Sequence, residues 1–296
     1  MMITGYVDPP TTLVADSWAE LFFCCLMGAV VLAALGYAVA KREWVLAVLI
    51  PAAGVSSLIE PFYDYVGGAW WATNLTTAFT SFDGRLFDPY FFPLGYACWV
   101  GIGAYVAYRI FAKRPAKSRI LAGFAVLAVA ESVLELPWIH TSLFSYYGPQ
   151  PYTLFGYSLV WCAINTSGLA FTGSLLLVMR PALPGWGAVR AAVVPFLNIG
   201  WYFACAWPTW LAYQAGAPVP VLWAAGTLTI AIAVTQIYLL AGYISGSAPY
   251  GLTGSTSAGA SGSNSPYSST SSTCSTALST SSSPGPTSRS AAQGGA

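Results

Sequence analysis

Seven stretches of mostly apolar residues, at 18–40, 44–60, 92–111, 120–139, 155–179, 189–213 and 219–243, constrain this chain more than any other feature. A helix needs roughly twenty such residues to cross a bilayer, and each stretch comes close to or exceeds that length. The second is short and ends at Glu60 followed by Pro61; the fourth contains two glutamates. Charge is scarce to match: 7% of residues are charged, against about 25% in soluble globular chains. So few charges cannot coat a water-facing surface, and the expected fold is an all-α, polytopic transmembrane bundle of about seven spans. No Lys or Arg precedes the first apolar run, so the positive region of a cleavable signal peptide is lacking and the run reads as a retained span. Five of the six cysteines lie within apolar runs and Cys274 lies near the C-terminus, which is no disulfide framework. A net charge of +1 offers no attraction to nucleic acid.

The basic residues orient the spans. Lys41 and Arg42 follow the first, Arg109 to Arg119 surround the turn after the third, and Arg180 and Arg190 bracket the turn after the fifth. The even-to-odd loops hold only Arg85. By the positive-inside rule the basic turns are cytoplasmic, the N-terminus is outside and the C-terminus inside, in the cell membrane. Three regions follow: an extracytoplasmic 1–17, a transmembrane domain 18–243, and a cytoplasmic 244–296. The last is Ser, Thr, Gly, Ala and Pro with Arg289 as its one charge, a composition expected to be disordered. Residues 61–91 are rich in Trp, Phe and Tyr, as expected of a segment lying among lipid headgroups. Asp88-Pro89 and Phe92-Pro93 read as breaks where the chain re-enters the bilayer. No internal repeat is evident, which disfavours an inverted-repeat transporter.

Ten acidic residues are present and none follows Glu135. Glu60 and Asp64 are four apart, as are Glu131 and Glu135, and that spacing puts each pair on one helix face. At 1.5 Å per residue, Glu60 lies roughly 24 Å along its span and Glu135 roughly 22 Å along its own. Both reach the outer half of the membrane, where they could gather with His140, the single histidine, around one outward-facing cavity. An ionised carboxylate at such depth costs about 2.5–3.5 kcal/mol, and all three lysines lie in the basic turns. A carboxylic acid beside an ionised neighbour is the arrangement acid catalysis uses. The bland reading is that these acids only bond backbone or tyrosine hydroxyls and hold helices together. Asn198 and Gln236 read better as amides bridging helices than as catalytic groups. Tyr146, Tyr147 and Gln150 form either a cap over the cavity or a tight interfacial turn.

These residues carry a resemblance. The string EPFYDYVGGAWW, followed by DGR and WVGIGAY, resembles the spirocyclase AveC-like family of actinobacterial membrane proteins. So does ELPWIHTSLFSYYGPQPYTLFGYSLVW with Asn165 and Thr166 after it. The likeness covers roughly 44–243. It departs at DGRLFDPYFFP, where a Gly-Arg-Pro turn is expected, so the resemblance assigns no role to Arg85. What the resemblance implies is a cofactor-free cyclodehydration in which a hydrophobic dihydroxy ketone closes to a spiroketal. Glu135 would be the acid, Glu60 with Asp64 the stabilising pair, and Glu131 a member of the same set. His140, Tyr146, Tyr147, Gln150, Trp161 and Asn165 would contact the substrate, with membrane lipid as the other partner.

Rival readings keep part of this pattern. A terpene or carotenoid cyclase or hydratase needs the same buried acid in an apolar cavity. A proton-coupled carrier also uses membrane carboxylates. A rhodopsin needs a lysine in the last span, and none is there. One histidine and no Cys-x-x-Cys disfavour a metal enzyme, so no cofactor or metal is expected.

Overall fold

The computed structural model describes residues 16–81, 86–146 and 149–246, all within one compact unit, Met1–Leu252. Arg85, Tyr147 and most of the 1–17 and 244–296 segments lie outside the described residues. Helices dominate: α1 (Asp16–Lys41), α2 (Trp44–Ser56), α3 (Glu60–Gly67), α4 (Phe92–Tyr96), α5 (Gly103–Phe111), α6 (Lys117–His140), α7 (Leu159–Met179), α8 (Val194–Gln214) and α9 (Val219–Ser245). Six helical stretches are long and apolar enough to cross a membrane: Trp18–Lys41, Trp44–Gly67, Lys117–His140, Leu159–Ala182, Gly185–Gln214 and Val219–Ser245. The chain is a helical membrane protein.

The third window, 92–111, is helical throughout but assembled in three pieces. α4 leads into a π-helical turn, Ala97–Ile102, and then into α5. With Tyr96, Tyr105, Tyr108 and Arg109 it is a partly polar stretch. It can be so because it packs against α1, α2 and α7. Glycine permits the close approach: a Cβ on Gly101 would stand 3.0 Å from the Ala53 Cβ and 3.1 Å from the Leu49 carbonyl. Small residues at such contacts let helices meet where lipid supplies no hydrophobic drive.

The second span runs further than its sequence suggests. Pro61 does not end it. A 3₁₀ turn, Ser57–Ile59, precedes Glu60, and Pro61 falls in the first turn of α3, where its missing N–H is harmless. The helix stops at Gly68, whose φ of 68° is left-handed. The sixth window is likewise modified, beginning with a 3₁₀ stretch, Gly185–Val193, before α8.

The basic turns share one end of the bundle. Arg109 pairs with Glu43 across the first two of them. Lys117 stands over the Tyr238 ring near the end of α9, and 185–193 packs on α2. The opposite end is built from short antiparallel ladders. β1 (Ala69–Trp71) pairs with β4 (Phe144–Tyr146), β2 (Thr77–Ser81) with β3 (Leu86–Pro89), and β5 (Thr153–Leu154) with β6 (Tyr157–Ser158). The aromatic loop therefore does not lie flat among headgroups. Trp71 and Phe91 are buried with Phe23, Phe144 and the ring of Trp138 in a cluster beneath the ladders. Glu20 of α1 fixes the loop by accepting from the backbone N–H and hydroxyl of Thr76.

One glycine contact gives a stability test. A Cβ on Gly173 would stand 2.6 Å from the Ala107 Cβ and 3.1 Å from α5 backbone, whereas one on Gly36 meets nothing within 4 Å. Gly173→Ala is expected to destabilise by about 1–3 kcal/mol, and Gly36→Ala to be neutral or slightly stabilising. Thermal unfolding midpoints in one detergent would separate the two.

Candidate functional site

The site follows from how two helices end. α3 carries Glu60 and Asp64 and runs into β1; α6 carries Glu131 and Glu135 and runs through a turn into β4. Pairing of Ala69 with Tyr146 and of Trp71 with Phe144 ties those two exits together. All four acids consequently line one cavity of about 850 Å³. Among the described residues no lysine, arginine or histidine lines it, so the carboxyl groups meet tyrosines, amides and one another.

Glu60 and Asp64 form the first pair. The Tyr96 hydroxyl donates to Glu60 Oε2, and the Asp64 side chain reaches both Glu60 and Trp71. Two carboxyl groups can hydrogen-bond only when one of them carries a proton, since a carboxylate accepts and cannot donate. Glu131 is the more enclosed member of the second pair, 3% exposed. The Tyr157 hydroxyl donates to its Oε1 at 3.1 Å. Its Oε2 is buried without a hydrogen-bond partner, and Asn165 stands beside it. Glu135, one turn further along α6, is only half-buried. Tyr146 and Tyr157 belong to the strands, and burial pushes both hydroxyls well above the usual tyrosine range, aided by the nearby Glu131 and Glu135. They stay protonated and available as donors.

Aromatic rings make up much of the remaining wall. Trp161 stacks on Tyr202 at 5.8 Å and 12°, and Tyr63 meets Tyr202 edge-on at 4.4 Å. Such π faces attract positive charge. Gln150 does not line the cavity but holds its wall: Nε2 donates to the Gly67 carbonyl and Oε1 accepts from Trp161 Nε1 at 2.9 Å. One side chain thus links the end of α3, the 149–152 loop and α7.

Of the residues singled out from sequence, Glu60, Asp64, Glu131, Glu135, Tyr146, Trp161 and Asn165 share the cavity wall. His140 does not. It is exposed at the last residue of α6, its Nδ1 paired with the Leu136 carbonyl at 2.8 Å, because the helix continues to that point and turns the ring outward. Gln236 bridges helices, accepting from Cys205 at 3.3 Å. Asn198 lines the cavity, with its Oδ1 buried and unpartnered. Tyr63, Tyr96, Tyr157 and Tyr202 line it as well, beyond what the motifs indicate. A tyrosine inside an apolar span is the signal that could have found Tyr96 and Tyr202. No trio of His, Cys, Asp or Glu among the described residues is disposed to hold a metal ion.

Asp88, which reads from sequence as half of a chain break, is a buried acid. It is 2% exposed, with neither carboxylate oxygen hydrogen-bonded, and lies close enough to Glu60 and Asp64 for its charge to act on both. Burial raises it from 3.8 to about 7. The chain matches no family model, no curated protein and no solved structure, so a functional reading stands on this geometry.

Asp88 yields a pH test. The folded chain keeps its proton up to about pH 7, and the unfolded chain releases it near 3.8. Its contribution to stability is therefore full below the lower value and lost as pH rises toward the upper one. Detergent melting points should fall between about pH 4 and 7, and Asp88→Asn should flatten that slope. An unchanged slope would remove Asp88 as its source.

Proposed function

We propose that this protein is a membrane-embedded, cofactor-independent acid catalyst that closes a ring in a hydrophobic substrate. In the form suggested by the spirocyclase-like motifs, a dihydroxy ketone undergoes cyclodehydration to a spiroketal. The observation that supports this most is the meeting of two carboxyl pairs, from two helices, on one aromatic-walled cavity. With the basic turns facing the cytoplasm, the cavity would sit in the outer half of the cell membrane.

The chemistry follows from those groups. One hydroxyl of the substrate adds to the ketone, giving a hemiketal. A protonated glutamic acid, Glu135 on this reading, donates to the hemiketal hydroxyl; the C–O bond breaks, water leaves and an oxocarbenium ion forms. The Glu60–Asp64 pair, carrying one negative charge, stabilises that cation together with the π faces of Trp161 and Tyr202. The second hydroxyl attacks, its C–O bond forms, and its proton passes to a carboxylate. Nothing but water is lost, and no oxidant or metal is consumed. A terpene-type cyclase would use the same acid to protonate an alkene.

The test is untargeted lipid profiling of a deletion strain complemented with the wild type, Glu60→Gln or Glu135→Gln. Each substitution should lower product formation by about 10²–10⁴-fold while the purified variant still inserts and elutes as the parent does. A precursor heavier than the missing product by one water supports cyclodehydration. Equal masses would replace it with an isomerising cyclisation. Unchanged metabolites would overturn catalysis and favour a proton-coupled carrier, measurable as uptake into proteoliposomes.

A further inference from the structure

The cavity wall is not closed all round. On α1, Trp18, Phe22 and Leu26 recur every fourth residue and line the cavity, yet they are 72%, 60% and 51% exposed. On α6, Val133 and Leu134 line it while 61% and 60% exposed, and Pro137 is exposed beside them. A residue that faces an interior space and is also open to the outside stands at the edge of an opening. These two rows face that opening from its two sides.

The packing agrees. α1 rests on α2, α4 and the π-helical turn, and α6 rests on α7 and α9. Near the outer end, α1 and α6 meet through an aromatic pair, Phe23 with Trp138, at 4.6 Å between ring centroids. Inward of that contact α1 presents Leu26, and α6 presents Leu134 and Val133. Both helices are apolar spans, so what lies outside this gap is hydrocarbon, not water. Glu135 follows Leu134 directly, and Glu131 lies one turn deeper with its unpartnered oxygen.

We propose that the cleft between α1 and α6, beneath the Phe23–Trp138 contact, is a lateral portal through which the substrate enters from the bilayer. The substrate is therefore an amphiphile dissolved in the membrane. Its oxygenated segment passes in to Glu135 and Glu131, and its hydrocarbon part stays between the two apolar rows. That identification of the occupant as substrate rests on the acid-catalyst reading; the portal itself is tested without turnover.

The probe is a long-chain fatty alcohol bearing an alkyl diazirine, mixed into vesicles that hold the full-length protein. On illumination such groups capture neighbouring carboxyl groups as esters, which peptide mass mapping locates. Adducts are expected on Glu131 or Glu135, and also on lipid-facing side chains of α9 such as Leu239. Leu26→Trp combined with Val133→Trp should abolish the carboxylate adducts and leave those on α9, which report insertion and folding. Adducts confined to the outer helix surfaces of the wild type would overturn the portal. So would carboxylate adducts that persist in the double variant, or contacts in which a second copy of the chain covers the cleft. Labelling that succeeds while metabolites are unchanged in the Gln variants would retain the portal and discard the catalysis.

Discussion

The arrangement depends on one short ladder. Three residues of β1 pair with three of β4, and because β1 follows α3 and β4 follows α6, that pairing clamps the ends of the two acid-bearing helices. An isolated two-stranded ladder this short is marginal in water. Here its inner face rests on the aromatic cluster of Phe23, Trp71, Phe91 and Phe144, which supplies what the strands lack. The ladder thus has a mechanical role: it sets the distance between two carboxyl pairs that are remote in sequence.

Among the described residues no cation lines the cavity, so holding acids together there requires other partners. Tyr96 serves Glu60, Tyr157 serves Glu131, and Glu60 with Asp64 serve each other. A tyrosine hydroxyl is a suitable donor in lipid because its ring is at home in the apolar wall while its oxygen satisfies the acid. Helix α7 avoids such costs by closing its hydroxyls locally. Thr166, Thr172 and Ser174 return their hydroxyls to carbonyls on α7 itself. α7 can therefore be buried on nearly every side and act as the post against which α5, α6, α8 and α9 pack. The contrast is informative: these α7 hydroxyls are closed off, whereas Glu131 and Asn198 keep an oxygen with no partner, and both face the cavity.

How much of this could be read beforehand differs by level. The spans were legible because burial in lipid demands length and apolarity, and both are local properties of sequence. The carboxyl pairs were legible because a four-residue spacing and a rise of about 1.5 Å per residue give face and depth directly. The loops were not. Trp70 and Trp71 have the composition of interfacial anchors, and only long-range pairing with β4 shows them to be core. Pro61 has the character of a helix end, and only the preceding 3₁₀ turn shows it to be a helix start. His140 suits catalysis by type, but one further residue of helix turns it outward. Asp88 looked like half of an Asp-Pro break, since nothing local indicates that β3 is folded inward against α3.

Gln150 illustrates how motif and mechanism part company. A residue inside the YYG-x-QP string is easily taken for a substrate contact. In the structure its amide instead joins the Gly67 carbonyl to the Trp161 indole. The string then matters because it fixes an aromatic ring against the far end of α3, a job that requires both an acceptor and a donor on one planar group. A carboxylate at this position would lose the bond to Gly67 and add charge to an already acidic chamber. An aliphatic residue would release both ends. The amide is the side chain that completes the wall without altering the charge the acids experience, and this separates the residues that hold the cavity from those positioned to act within it.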